Sequence, residues 1–238
     1  MIKGYFAIMN DFGIMQKAIL ILAVITLIIS CKKADSPACG DCIDLYFESP
    51  QPNNDSELDH FPNKFRGLYR NDDSTFIRIE EDKILKENFI IFKFHKLKMD
   101  SLKSEYIIIE GKLVTKDTND KFDMDLKGDS IKLSQRLVDT LFRFSYFQKA
   151  KRIDGQLVLS TKDSIFWNIQ FLSVEKNTLK FKNLYEAKDL KKLDSVTMVK
   201  GKMLDSISFL IKPTRREFRK ILKIKNLGFD SEYKKISQ

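Results

Sequence analysis

The chain has 238 residues, 43 % of them apolar, and 42 Lys and Arg against 33 Asp and Glu give a formal charge of +9. That apolar share argues against wholesale disorder, and the length allows one or two domains with a real core. The basic residues are scattered among acids with no recognition motif beside them, so composition gives no support for nucleic acid as a partner.

The chain begins with an uneven leader. "MIKGYFAIMNDFGIMQ" holds Asp11 and a single lysine and is long for a signal n-region. Met15 opens the more compact "MQKAILILAVITLIISC", so the expected translation start is Met15, or else Met9. Behind Lys17, Ala18 to Ile29 form an apolar run of 12 residues. As a helix it would span roughly 18 Å, whereas a bilayer core needs about 20 residues. The run suits a signal-peptide core rather than a span.

"LIISC" then places Ile28 three before Cys31 and the small Ser30 just before it. This resembles the lipobox of bacterial lipoproteins. The resemblance implies cleavage before Cys31, a diacylglyceryl group with palmitate-class chains on its thiol, and residues 1–30 as the signal peptide. One acyl chain holds a protein marginally on a membrane, and two hold it stably.

Residues 31–62 read as the lipidated cysteine and a flexible tether. "KKADSPACGD" and "ESPQPNNDSELDHFP" are rich in Pro, Asn, Asp and Ser, a composition that buries too little to offset ordering. Ile43 to Phe47 could dock on the domain as a short strand. "CGDC" offers Cys39 and Cys42. Structural zinc wants four ligands, and His60 and His95 have no motif spacing, so no metal is expected. No strand feeds the pair onto a helix, as a redox site requires. The expectation is a local Cys39–Cys42 disulfide in an oxidising compartment.

Residues 63–238 read as a mainly β domain: antiparallel meander sheets or an open barrel or sandwich, with one or two short helices. "KFRGLYR", "STFIRIE", "NFIIFKFHKLKM", "EYIIIEGKLVT", "KFDMDLKG" and "SIKL" alternate with a period near two. "SQRLVDTLFRFSYF" fits a helix face or a strand face, and its β-branched and aromatic content favours the strand. "GQLVLST", "SIFWNIQFLSV" and "NTLKFKNL" continue the pattern. Two β halves could meet near residues 147–153. Residues 185–193 suit a short helix, and "SVTMVKG" and "SISFLIK" suit strands. "PTRREFRKILKI" gives the clearest helix: Thr214 and Glu217 have the spacing of a capping box, and Phe218, Ile221 and Leu222 share a face. "FDSEYKKI" is expected as an edge strand.

Asp-Ser occurs nine times, and five copies run straight into strand-like sequence. Both side chains bond to nearby backbone N–H groups, so the dipeptide suits tight turns between short strands.

Catalytic chemistry does not stand out. His60 and His95 accompany no nucleophile motif. Glu105, Glu110, Glu175 and Glu186 have no distinguishing context, and "KGDS" and "DGQL" read as turns. Asp117, Asp120, Asp123, Asp125 and Asp129 lack the order of acids and glycine that calcium loops use. Trp167, in "FWNIQF", reads as core. No cofactor is expected.

"FPNKFRGLYRNDDSTFIRI", "DGQLVLSTKDSIFWNIQFLSV" and "PTRREFRKIL" resemble cell-envelope lipoproteins of Bacteroidota, over residues 47–238. The resemblance implies an envelope protein on a lipid anchor and carries over no catalytic residue. In that group acids after the lipidated cysteine resemble a surface-export signal. Here Lys32 and Lys33 follow Cys31, which favours the periplasmic face of the outer membrane. The expected role is a non-catalytic binding or accessory module with an envelope protein partner. The alternatives are a lipocalin-like carrier or sensor of an apolar ligand and, behind it, an envelope hydrolase.

Overall fold

Alternating apolar residues become strands where one face is covered. The computed structural model describes residues 42–236. The expected leader, Cys31 and Cys39 lie outside the described residues.

The chain opens with β1 (Asp44–Phe47) and the two-residue β2 (Glu57–Leu58). A meander of β3 (Gly67–Arg70), β4 (Phe76–Ile79) and the long β5 (Lys83–His95) follows. After α1 (Met99–Leu102) come β6 (Tyr106–Ile109), β7 (Lys112–Thr115), β8 (Lys121–Lys127) and the long β9 (Ser130–Arg143). A second meander holds β10 (Gln148–Ile153), β11 (Gln156–Asp163), β12 (Phe166–Glu175) and β13 (Thr178–Asn183). The chain closes with α2 (Ala187–Val196), β14 (Lys202–Met203), β15 (Ser208–Ile211), α3 (Arg215–Ile221) and β16 (Phe229–Lys235).

All these strands join one large open sheet, the mainly β class expected from the sequence. Its main path runs β14-β15-β1-β12-β13-β16-β3-β4-β5-β9-β8-β7-β6, and β11, β10 and β2 branch from β12. Pairing is antiparallel except between β1 and β15. Strands as far apart in this order as β4 and β11 share one core, so the sheet curls around it. Phe61, Phe65, Tyr69, Ile77, Phe142, Leu157 and Phe181 fill that interior. On the outer face Trp167, Ile169 and Phe171 of β12 pack with Phe47 and with Leu193, Phe218 and Ile221 of α2 and α3. These two layers make up the body. The far ends of β5 and β9 run on beyond it and, with β6–β8, form an arm around a small cluster of Leu113, Phe122, Ile131 and Leu133.

The expected helix after Pro213 forms, and Thr214 caps it. The Thr214 hydroxyl accepts the Glu217 N–H at 3.3 Å, and the Glu217 carboxylate accepts the Thr214 N–H at 2.8 Å. Gly228, with φ +69°, then turns the chain into β16; a Cβ there would collide with the carbonyl of Asn183. Asp-Ser turns behave as their chemistry dictates. Ser74 and Ser164 take positive φ, and the Asp205 carboxylate accepts the N–H groups of Ile207 and Ser208.

Four expectations need correction. First, residues 42–62 are not free tether but part of the folded unit, and the short strand that Ile43 to Phe47 could add does form, as β1. Leu45 and Phe47 insert between β15 and β12, and Phe61 is buried in the inner core. The Pro-rich stretch is held because the Lys151 ammonium donates to the carbonyls of Pro50 and Pro52, each at 3.0 Å. Second, no two halves meet near 147–153. Residues 148–153 are β10, which pairs with β2 and β11 inside one compact unit. Third, "SVTMVKG" is not a strand: it is the end of α2 and an exposed loop. Fourth, β16 is an interior strand, between β13 and β3.

Candidate functional site

Most groups with shifted acidity have a structural partner. Tyr69 is pushed up to about 12 by burial, and its phenol donates to the Phe65 carbonyl at 2.9 Å. Tyr46 is pushed up to about 12, first by burial and then by its hydrogen bond to Asp163 at 2.9 Å. Burial depresses Lys151, which sits on the two proline carbonyls. Glu87 is buried on the outer face where body becomes arm. Burial alone would raise its pKa. The guanidiniums of Arg136 and Arg78 outweigh that and hold it below the usual glutamate range. Arg78 Nε lies 2.7 Å from Oε1, and Arg136 reaches both carboxylate oxygens, at 2.7 and 3.0 Å.

The histidines stay apart. His60 Nδ1 faces Asp59 at 2.5 Å on the exposed turn before β3, and His95 Nδ1 accepts the Leu97 N–H at 3.3 Å at the start of a 3-10 turn. Among the described residues no three His, Cys, Asp or Glu are gathered as they would be around a metal ion. Cys42, the one cysteine among the described residues, takes part in a disulfide, and its backbone bridges to Glu186. Trp167 is buried in the outer core, as its sequence context suggested.

The curled interior is filled. At its mouth, Thr161, Asn168, Gln170 and Asn183 rim a hollow of about 160 Å³ above Ile84, Phe142 and Phe181. A groove of about 190 Å³ lies between the outer faces of β12 and β13 and the end of α3. Both are smaller than the roughly 300–1,000 Å³ of ordinary ligand pockets, and the larger hollows, about 410 Å³ beside Tyr106 and Thr115 and about 470 Å³ beside Phe144 and Gln148, lie open on the surface.

The arm presents a different surface. β6 pairs only with β7 among the described residues, so its other edge is open. Ile107, Ile108 and Ile109 on that strand are each about half exposed. Phe89, Ile91 and Phe92 of β5 and Leu137 and Val138 of β9 are also exposed. The direction of the free backbone groups follows from pairing. Lys116 N–H donates to the Glu105 carbonyl at 2.9 Å, so Glu105 turns its groups toward the β7 side. Bonding alternates along an antiparallel pair. Ile107 and Ile109 therefore also bond β7, while Tyr106 and Ile108 point their N–H and C=O outward. Open apolar edges are what proteins ordinarily shorten, charge or cover. The sequence showed the apolar run "YIII" but gave no signal that no described residue would cover it.

Fold and surfaces together define a mainly β protein, a curled sheet body carrying an open-edged arm. Comparison with protein-family models, curated proteins and solved structures finds no match for this chain.

Proposed function

We propose that this chain is a lipid-anchored protein of the bacterial cell envelope, acylated on Cys31, that works as a non-catalytic binding module. The open edge of β6 carries this reading. A strand from an envelope protein partner would add to it, bonding the outward groups of Tyr106 and Ile108. The exposed isoleucines would supply specificity on the two faces. The anchor would confine the module to two dimensions and raise its effective concentration near the partner. Lys32 and Lys33 support the periplasmic face of the outer membrane. The side-chain-filled interior supports a binding module over a carrier of an apolar ligand.

The test is affinity isolation of the crosslinked protein from native membranes, with wild type beside Ile108→Pro. Proline at 108 removes an outward N–H and leaves the bonds to β7 in place. A partner recovered with wild type and lost with Ile108→Pro supports the proposal. Equal recovery with both overturns the edge as the contact, and recovery of the protein alone with bound lipid points to a carrier.

A further inference from the structure

At the opposite end of the strand order from β6 lies β14, the other end of the main path. It belongs to a loop, residues 198–207, in which every residue but Gly201 is exposed. Met198, Val199, Met203, Leu204 and Ile207 are all apolar and exposed, Met198 at 90 %. The same ten residues hold Lys200 and Lys202 against the single acid Asp205, all exposed, and the Lys200 ammonium also donates to the Asp194 carbonyl. An apolar fringe set among lysines is the composition of a segment that rests in the headgroup region of a membrane with acidic lipids.

This loop is held in place by its backbone. Met198 N–H donates to Glu217 Oε1 at 2.5 Å, Gly201 N–H to Asp194 Oδ1 at 2.8 Å, and Leu204 N–H to the Ser208 carbonyl at 2.8 Å. Asp205 accepts the N–H groups of Ile207 and Ser208 at 2.9 and 2.8 Å. The polar groups are tied inward and the apolar side chains are left outside.

The loop also adjoins the point where the chain enters the fold. Asp44 N–H donates to the Ile207 carbonyl at 2.8 Å, and Ile43 N–H to the Tyr185 carbonyl at 2.7 Å. Eleven steps separate Cys31 from Cys42. Even fully extended they reach about 40 Å. An acylated Cys31 thus keeps this corner of the body within that distance of the lipid.

We infer that residues 198–207 form a lipid-contact loop. Met198, Val199, Met203 and Leu204 dip into the bilayer surface beside the anchor, and Lys200 and Lys202 meet acidic headgroups. This rests on the anchored reading above. It assigns the two ends of the strand order different partners: lipid at β14 and protein at β6.

The test uses the full chain in the membranes of a host that acylates it. A photo-reactive phenylalanine analogue replaces Met198, Met203 or, as the control, Ile108. Irradiated protein is weighed intact, and acylation of Cys31 is read from the same spectra. The expected result is lipid-mass adducts at 198 and 203, at least about fivefold above 108, falling at least twofold for Met203 when Lys200→Glu and Lys202→Glu are added. Acylated protein with equal lipid adducts at all three positions, or with protein adducts at 198 and 203, overturns the loop contact alone. Protein without acyl mass on Cys31 overturns the anchored reading, and the tether argument falls with it.

Discussion

Body and arm share two strands and treat them in opposite ways. On β5, Ile84 is fully buried in the body, while Ile91 and Phe92 are half exposed in the arm. On β9, Phe142 is buried, while Leu137 and Val138, five and four residues before it, are exposed. The alternation is continuous across the boundary, and what changes is the second layer. In the body the sheet curls over one face and two helices and β1 cover part of the other. In the arm only the small cluster near Leu113 is covered. Burial of apolar area is what stabilises a fold, so stability is concentrated in the body, and the arm's uncovered side chains are available for contact.

The largest effect that tests this contrast is truncation on either side of the boundary. Phe142→Ala should cost about 3–5 kcal/mol, the usual range for a buried aromatic. Ile91→Ala, on the same sheet but in the arm, should stay within about 0.5 kcal/mol. Chemical denaturation of both variants checks this, and similar losses would break the contrast.

Next comes the boundary itself. Glu87→Gln keeps the shape and removes the charge that Arg78 and Arg136 bond. Hydrogen bonds to charged groups contribute about 1.5–3 kcal/mol, and a loss near the lower end is expected because both arginines are partly open to solvent. The folded pKa of Glu87 lies below its unfolded value. Its contribution is therefore complete above the ordinary glutamate range, about 4.3, and is lost as pH falls through the folded value. Stability measured from pH 6 down to pH 3 should fall less steeply for Glu87→Gln than for wild type.

Thr214→Ala removes the cap of α3 and should cost about 1 kcal/mol, again by denaturation. Smallest of all is Ile108→Pro, with no measurable change in stability. Ile107→Pro, one residue away, deletes a bond to β7 and should loosen β6, seen as faster exchange of its backbone amides.

Much of the body was legible because its strands alternate under cover: "STFIRI" and "SIFWNIQFLSV" show it directly. The helix after Pro213 was legible because Thr214 and Glu217 bond within one turn. What was missed depends on distant partners. "IDLYF" reads as a short strand that could dock, but its seat between β12 and β15 cannot be read from it. "QKAKRI" has too few apolar residues to announce β10, whose Lys151 is buried because two carbonyls receive its ammonium. The open edge of β6 could not be foreseen, since it depends on what does not pack there. Cys31 and Cys39 lie outside the described residues, whereas "SVTMVKG" reads as a strand because Val196, Met198 and Val199 look apolar enough to be buried, and it is instead the end of α2 and the loop behind it.

The position of β1 has a consequence for the order of events. Its parallel neighbour is β15, and the segment behind it is fastened to the same late region: Glu48 to Lys212, 164 positions on, Asn53 to the Pro213 carbonyl and Asp55 to Arg215. A newly made chain emerges with its first strand in hand and the seat for that strand still unsynthesised. Until residue 211 appears, Leu45 and Phe47 have no complete groove to enter, and contacts so distant in sequence form late. The beginning of the domain is therefore completed only after most of the chain has been made. A chain cut short after β13 would lose its end and also leave its first strand unhoused.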